Sequence, residues 1–110
     1  MRRGDVVVVA TQGDYGKPRP AVVVQTDALN VERGSVILCQ MTSDVQDDID
    51  FRPVIGPDDG NGLRRRSQVM ADKLVTVRRD RVGQVVGRLR PDDMRKLDQA
   101  LVFTLGLGEL

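Results

Sequence analysis

The sequence predicts a mainly β (α+β) fold, in which a small, strongly bent antiparallel sheet or barrel is closed by a C-terminal amphipathic helix. Short apolar runs rich in β-branched residues alternate with clusters of glycine, proline and polar residues, which is the pattern of short strands joined by turns. The apolar spacing becomes helical only near the C-terminal end. A chain of 110 residues has room for one core, so we expect a single domain over residues 1–110.

The predicted strands are, in chain order, DVVVVA at 5–10, AVVVQ at 21–25, SVILCQM at 35–41, DFRPVI at 50–55 and SQVMADKLVTV at 67–77. The first run is almost entirely valine, as in a strand that is buried on both faces. Pro53 cannot donate to a ladder, so the fourth strand is expected at a sheet edge. The fifth strand has a polar interruption at Asp72–Lys73. TQGDYGKPRP at 11–20 and GPDDGNG at 56–62 are expected to be a loop and a turn.

The C-terminal segment RPDDMRKLDQALVFTLGL predicts the helix. Pro91 suits the first helical position, and Asp92 and Asp93 complement the positive end of the helix dipole. Apolar residues recur at steps of three and four and predict a buried stripe: Met94, Leu97, Leu101 and Leu105. The helix is expected to end near Gly106.

The net charge of +1 conceals a polarity along the chain. Residues 42–62 carry six aspartates against one arginine, whereas residues 64–90 carry nine arginines and lysines against two aspartates. A basic half of this kind suits a polyanion or an acidic peptide. A solvated surface with ion pairs between the two halves fits the same counts.

The sequence lacks the residues on which several common kinds of catalytic and metal-binding site depend. There is no histidine and only one cysteine, Cys39, which is expected to be a buried structural thiol. Without a Cys/His cluster or a glycine-rich phosphate loop, we expect no cofactor and no metal. The aspartates between residues 44 and 50 lack the framework of an EF-hand and are expected in a solvated loop. No run approaches the roughly 18 apolar residues of a membrane span, and no secretion signal is evident, so we expect a cytoplasmic protein.

Arg19 is the most distinctive candidate functional residue. It lies between Pro18 and Pro20, at the mouth of an apolar run. Proline restricts both its own φ and the residue before it, so this guanidinium is expected to leave a stiff, extended backbone. A functional cation is one interpretation, and an ion pair with a carboxylate such as Asp14 is the other.

Four stretches of the chain resemble the MazF/PemK family of toxins. RGDVVVVATQGDYGKPRPAVVVQTDALN is similar to the family's opening, in which Arg-Pro precedes a valine-rich strand. The other three are VILCQMTSD, whose strand ends in threonine, SQVMADKLVTV, and VGQVVGRLRPDDMRKLDQAL, which matches a short strand and the terminal helix. The resemblance implies a CcdB/PemK-like, SH3-like barrel or strongly bent sheet over nearly the whole chain.

The resemblance also implies a toxin of a type II toxin–antitoxin system, a sequence-specific, metal-independent endoribonuclease. In that family the 2′-OH of single-stranded RNA attacks the adjacent phosphorus, which leaves a 2′,3′-cyclic phosphate and a 5′-OH end. Arg19 and Thr42 match the catalytic arginine and threonine. The residues expected to contact RNA are Asp14, Tyr15, Lys17, Arg66, Gln68, Asp72 and Lys73. The acceptor of the 2′-OH proton stays open, with Asp14 as one candidate.

The expected partners are single-stranded RNA, an antitoxin with an acidic extended segment, and a second copy of the chain. A homodimer would bury more apolar surface than so small a chain buries alone. Two alternatives use the same fold without cleavage. One is a CcdB-like gyrase poison, although that relative depends on a tryptophan and this chain has none. The other is a catalytically silent domain that only binds an antitoxin.

Overall fold

The computed structural model describes residues 1–10, 17–29 and 34–108. Within them lie six strands and one α-helix: β1 (Asp5–Val9), β2 (Arg19–Val23), β3 (Ser35–Thr42), β4 (Val54–Ile55), β5 (Ser67–Arg78), β6 (Val82–Arg88) and α1 (Pro91–Leu105). Single 3-10 turns occur at Asp27–Leu29 and Arg79–Arg81. The strands form one antiparallel sheet in the order β4-β5-β3-β2-β1-β6. The predicted mainly β fold with a C-terminal helix is confirmed.

The sheet curls strongly because β5 is irregular at its centre. While β3 advances from Cys39 to Met41, its partner positions on β5 run from Leu74 back to Val69. The extra residues form a bulge, which increases local twist and bend. The predicted polar interruption at Asp72–Lys73 is therefore part of this bulge within one continuous strand.

Most apolar residues of β1, β2 and β3 are buried, and they lie on both faces of the sheet, as the valine run of β1 predicts. The first core lies between one face and α1 and consists of Val6, Val22, Cys39, Met41, Ile55, Leu63, Val69, Ala71, Leu89, Leu97, Ala100 and Leu101. The second core lies on the other face and consists of Val7, Val9, Ala21, Val23, Val36 and Leu38. The alternation of Val6 with Val7 between the two cores follows directly from strand pleating.

The helix spans Pro91–Leu105 and is capped by Gly106, which adopts the left-handed conformation with φ of 67°. Both predicted ends are confirmed, and Leu97 and Leu101 are buried as expected. Leu105 is 52% exposed, so the predicted stripe is wrong at its last position, and Ala100 takes its place in the core. Among the described residues, no helix is both long enough and apolar enough to cross a bilayer.

Two of the five predicted strands begin at a different residue from the one predicted. β2 begins at Arg19 rather than at Ala21, which places the arginine within the sheet. The edge strand predicted over 50–55 is reduced to Val54–Ile55. The preceding chain turns instead, since the N–H of Arg52 donates to the carbonyl of Ile49 over 3.4 Å. Pro53 still joins the edge by accepting a hydrogen bond of 2.9 Å from the N–H of Val69.

Candidate functional site

A groove of about 720 Å³ lies where the start of β2 and the end of β3 meet the connection between β4 and β5. Its apolar lining comes from Val8, Pro18, Pro20, Met41, Leu63 and Val86. Its polar lining comes from Lys17, Arg19, Ser43, Arg64, Arg65 and Ser67. The groove therefore combines an apolar surface with four cationic side chains.

Arg19 enters this groove from the first residue of β2. Its side chain is half-buried, and its Nε atom is shielded from solvent. The backbone on both sides is restricted by Pro18 and Pro20 and is held in the sheet by pairing with Val9. Because this backbone is rigid, the Arg19 side chain starts from a fixed position even without a ligand.

Thr42, the other predicted catalytic residue, is the last residue of β3. Ala21 pairs with Gln40 and Val22 with Cys39, and the same register, continued along both strands, places Arg19 opposite Thr42. The Thr42 Oγ1 accepts a hydrogen bond of 3.1 Å from the N–H of Asp44, which fixes the start of the following turn. The adjacent Ser43 lines the groove, whereas Thr42 is half-buried at its margin.

The electrostatic character of the groove is one-sided. Lys17, Arg19, Arg64 and Arg65 all line it, and no described carboxylate does. A concave surface lined by one sign of charge concentrates the field and attracts ligands of the opposite sign. This arrangement favours a polyanion as ligand.

The connection between β4 and β5 is held by the buried Asn61. Its Nδ2 donates to the carbonyl of Gly56 over 2.9 Å, and its Oδ1 accepts from the N–H of Leu63 over 3.0 Å. The carboxylate of Asp58 accepts from the N–H groups of Gly60 and Asn61, each over 2.8 Å. The predicted turn at 56–62 is thus a hydrogen-bonded structure that leads directly into Arg64.

The structure separates the other expected RNA-contacting residues. Lys17 lines the groove, while Asp14 and Tyr15 lie outside the described residues. The exposed Arg66 pairs with Asp47 over 3.2 Å and lies outside the lining of the groove. Lys73 is exposed on β5 and also lies outside that lining.

Gln68, which the resemblance predicts as an RNA contact, is buried and hydrogen-bonded to backbone groups. It is 1% exposed. Its Nε2 donates to the carbonyl oxygens of Gln46 and Arg52 over 3.0 and 2.9 Å, and its Oε1 accepts from the N–H of Gln46 over 3.0 Å. These bonds tie the 46–52 segment to β5 and use both N–H donors of the amide.

Asp72 forms a two-point ion pair with Arg52. The Nε and Nη2 atoms of Arg52 donate to its two carboxylate oxygens over 2.7 and 2.9 Å. The hydrogen bonds from this guanidinium lower the pKa of Asp72, and the same bonds raise the pKa of Arg52. Asp72 is thus engaged within the chain and lies outside the lining of the groove.

Ion pairs do form between the acidic and basic halves of the chain. Asp47 pairs with Arg66, and Asp58 pairs with Arg90 over 3.2 Å. Arg64 and Arg65 make no ion pair with any carboxylate in the described part of the chain. Intramolecular pairing therefore accounts for part of the charge pattern, while Arg64 and Arg65 contribute their charge to the groove.

The groove residues that the sequence does not single out are Ser43 and Ser67. The run of three arginines at 64–66 fits both a phosphate contact and a solvated loop at the level of sequence, and only the fold shows which of the three enter the groove. Ser43 follows Thr42 directly and was visible only as a small polar neighbour.

Cys39, the single cysteine of the sequence, lies in the first core. Cys39 is buried, and this burial raises the pKa of its thiol to about 12. The expectation of a structural thiol is thereby confirmed. Across residues 1–10, 17–29 and 34–108, no three His, Cys, Asp or Glu side chains converge as metal ligands would.

The curled sheet with one closing helix is the fold of MazF toxins. A mycobacterial endoribonuclease solved in complex with its cognate antitoxin matches with a TM-score of 0.83 and 28% identity, over 97% of this chain and 96% of that one. MazF of Deinococcus radiodurans, solved with MazE, matches with a TM-score of 0.77 over 98% and 97% of the two chains. Its 24% identity supports the fold alone.

Similarity in sequence identifies the family to which the chain belongs. The profile of the PemK-like, MazF-like toxins of type II toxin–antitoxin systems matches residues 2–105, and the chain belongs to this family. It is 38% identical over 109 residues to a probable endoribonuclease MazF of Mycolicibacterium smegmatis, which covers 98% of this chain and 99% of the relative. The resemblance inferred from the Arg-Pro strand and the terminal helix is confirmed.

Proposed function

We propose that this toxin is a sequence-specific, metal-independent endoribonuclease that cleaves single-stranded RNA in the groove beside Arg19 and Thr42. The observation that carries the proposal is the groove itself, in which four cations and no described carboxylate meet the aligned ends of β2 and β3. The endoribonuclease names of relatives at 38% and 28% identity support it.

The proposed reaction uses a nucleophile from the substrate. The ribose 2′-oxygen forms a bond to the adjacent phosphorus and loses its proton to an acceptor. The bond from phosphorus to the 5′-oxygen breaks, and that oxygen gains a proton. The products are a 2′,3′-cyclic phosphate and a 5′-OH end, so the protein needs neither histidine nor a nucleophile of its own.

Arg19 is assigned to the charge that develops in this reaction. Negative charge accumulates on the phosphorane oxygens, and a planar guanidinium with several donors is suited to stabilise it. The rigid backbone between Pro18 and Pro20 avoids the reorganisation that a flexible cation would require. Donation of a proton to the leaving 5′-oxygen is a second role available to the same side chain.

Thr42 is assigned to positioning. A hydroxyl has one donor and two acceptor sites, and Thr42 already uses one acceptor site for the N–H of Asp44. Its O–H stays able to donate to a phosphate oxygen, and its second lone pair is able to accept from the 2′-OH. Either bond would hold the scissile phosphate next to Arg19.

The partners follow from the same groove. A type II antitoxin would inhibit cleavage by laying an acidic, extended segment along the cations that otherwise hold RNA. The toxin is expected to act as a homodimer in the cytoplasm, where its substrate and antitoxin are synthesised.

The decisive experiment is incubation of purified protein with single-stranded RNA in the presence of EDTA. The expected result is a discrete set of cuts, each with a 5′-OH end, which sequencing of the 5′-OH ends identifies together with the cleavage motif. Activity that EDTA abolishes, or cuts with 5′-phosphate ends, would contradict the proposal. Failure to cut RNA combined with inhibition of gyrase in a supercoiling assay would favour the gyrase-poison alternative.

A further inference from the structure

We propose that Arg64 and Arg65 form a fixed phosphate clamp, which holds the backbone of the RNA while Arg19 acts on the scissile phosphate. This inference rests on the proposed function and adds residues that bind substrate without taking part in the chemistry. Both arginines line the groove, and both are exposed to solvent. They come from the β4–β5 connection, a different segment from the one that supplies Lys17 and Arg19.

The clamp is distinguished from the rest of the arginine run by its ion pairs. Arg66 is engaged by Asp47, whereas Arg64 and Arg65 have no carboxylate partner among the described residues. A guanidinium without a carboxylate partner retains its full set of donors for a phosphate, which it binds in a bidentate fork. The fold therefore assigns two of three consecutive arginines to the ligand and one to the protein.

The segment that carries the clamp is rigid because it is pressed onto β6. The N–H of Arg88 donates to the carbonyl of Gly60 over 2.8 Å. A Cβ on Gly62 would lie 2.3 Å from the carbonyl oxygen of Val86, and a Cβ on Gly87 would lie 2.3 Å from the carbonyl carbon of Asn61. The two backbones approach so closely that only glycine fits at either position.

The apolar and polar anchors on both sides of Gly62 complete this support. Leu63 is buried in the core beneath α1, and Ser67 donates from its Oγ to the carbonyl of Arg65 over 2.9 Å. Asn61 is fully buried and bonds to the backbone on both sides of the turn. Arg64 and Arg65 thus leave a braced backbone, which lowers the entropy lost when they bind phosphate.

An acidic peptide is the competing ligand for such cations, and the geometry favours RNA. The clamp residues are adjacent in sequence and share one groove with Arg19 and Lys17, so their charges suit the closely repeated phosphates of one RNA strand. The apolar residues between them, Val8 and Pro20, provide a surface for base faces.

The test compares Arg64→Ala/Arg65→Ala with Arg2→Ala/Arg95→Ala, a control that removes the same charge from exposed positions outside the groove. The probe is a fluorescently labelled 2′-O-methyl oligonucleotide of mixed sequence, which keeps the phosphates but lacks the nucleophile. Fluorescence anisotropy gives Kd across a salt series. The clamp variant should bind about tenfold more weakly at low salt, and its slope of log K against log salt should fall by about 1.4, or about 0.7 per lost phosphate contact.

The control double variant should change Kd by less than about twofold and keep the wild-type slope, because its charges lie outside the groove. Arg64→Lys/Arg65→Lys should restore the slope, because the charge is kept, but only part of the affinity, because lysine lacks the bidentate fork. Equal effects of the clamp and control variants would overturn the inference. The inference would also be overturned if the clamp variant bound a polyglutamate peptide more weakly than the wild type but bound the oligonucleotide equally well.

Kinetics on cleavable RNA distinguish this inference from the proposed function. The clamp variant should raise KM about tenfold and leave kcat within about threefold, as expected for lost ground-state binding. If the wild type binds the 2′-O-methyl probe through the clamp but cuts no RNA, the proposed function fails and the clamp stands. If the wild type cuts RNA and the clamp and control variants are indistinguishable, the clamp fails and the function stands.

Discussion

Arg19 and Thr42 each lie two residues beyond Ala21–Gln40, the last pair of the β2–β3 ladder, at the adjoining ends of the two strands. Arg19 is held by its pairing with Val9, and Thr42 by its pairing with Gln68. The register of β2 and β3, continued by two residues, brings a cation and a hydroxyl that are far apart in sequence to the same end of the sheet.

The first prediction concerns the charge at this end of the sheet. Arg19→Ala should lower kcat by roughly two orders of magnitude or more, because it removes the cation assigned to the phosphorane oxygens. Arg19→Lys should recover only part of this loss, since lysine supplies a point charge without the planar fork. Single-turnover cleavage of a labelled RNA measures both variants.

Thermal unfolding provides the control for these two variants, because Arg19 also lies within β2. A melting temperature within a few degrees of the wild type would assign the loss to chemistry. Cleavage by Arg19→Ala at the wild-type rate would rule out its catalytic role.

The second prediction assigns the hydroxyl. Thr42→Ala should slow cleavage by roughly a hundredfold, and Thr42→Ser should keep most of the activity because the Oγ is retained. Ser43→Ala is the matched comparison, since Ser43 lines the groove one residue further along. It should reduce the rate by less than about fivefold. A larger loss for Ser43→Ala than for Thr42→Ala would transfer the role to Ser43.

The Arg19–Thr42 relationship illustrates how far the sequence alone leads. Two prolines identify Arg19 as a cation on a stiff backbone, and the valine runs identify the strands. Both signals are local. The prolines act by restricting φ at neighbouring residues, and the valine runs are recognised within single segments. The family resemblance then connects Arg19 with Thr42, a relationship that no local pattern contains.

The burial and pairing of individual side chains depend on contacts between distant segments. Gln68 has the polarity of a substrate contact, but its amide N–H groups donate to carbonyl oxygens of the 46–52 segment. Arg64 and Arg66 have identical local patterns, and only the proximity of Asp47 separates them. Leu105 keeps the helical period, but it is exposed despite that spacing. None of these outcomes is encoded in spacing.

The third prediction concerns stability and pH. The ion pair between Arg52 and Asp72 is partly buried, with side-chain exposures of 14% and 27%. Asp72→Asn should lower the free energy of unfolding by about 0.5 to 1 kcal/mol, measured by urea denaturation at pH 7, because solvent screens the pair. A double-mutant cycle with Arg52→Met isolates the coupling between the two side chains.

The pH dependence of this pair has a definite sign. Because Arg52 lowers the pKa of Asp72 in the folded state, the pair stabilises the protein above the unfolded pKa of about 3.9. The stabilisation is lost as the pH falls through the lower, folded pKa. The difference in stability between wild type and Asp72→Asn should therefore shrink below about pH 4. A difference that grows on acidification would contradict the assigned pair.

The fourth prediction uses Cys39 as a probe of the core. Burial raises the pKa of this thiol to about 12, so the native protein contains almost no thiolate at pH 8. Labelling by a thiol-specific disulfide reagent should be slower than that of a free thiol by roughly a hundredfold or more. The rate should increase together with the unfolded fraction as urea is added. Stoichiometric labelling of the folded protein within seconds would show that the first core is open.

The last prediction tests whether the close contact between Gly62 and β6 supports the groove. Gly62 has a φ of 70°, and a Cβ there would lie 2.3 Å from the carbonyl oxygen of Val86, so Gly62→Ala carries both backbone strain and a clash with backbone. Gly62→Ala should destabilise the protein by about 2 kcal/mol or more. Gly56→Ala is the matched control in the same connection, because a Cβ at Gly56 meets nothing within 4 Å. It should stay within about 0.5 kcal/mol of the wild type.

Urea denaturation measures both variants, and anisotropy with the 2′-O-methyl probe then compares their affinities under conditions where each is fully folded. If the contact with β6 positions Arg64 and Arg65, Gly62→Ala should bind the probe several-fold more weakly while Gly56→Ala binds normally, because a displaced backbone carries both guanidiniums away from the phosphates. A destabilised but normally binding Gly62→Ala would mean that the contact serves folding alone. Arg64 follows Gly62 by only two residues. A backbone shift at Gly62 that is large enough to relieve the clash with Val86 should therefore also displace Arg64.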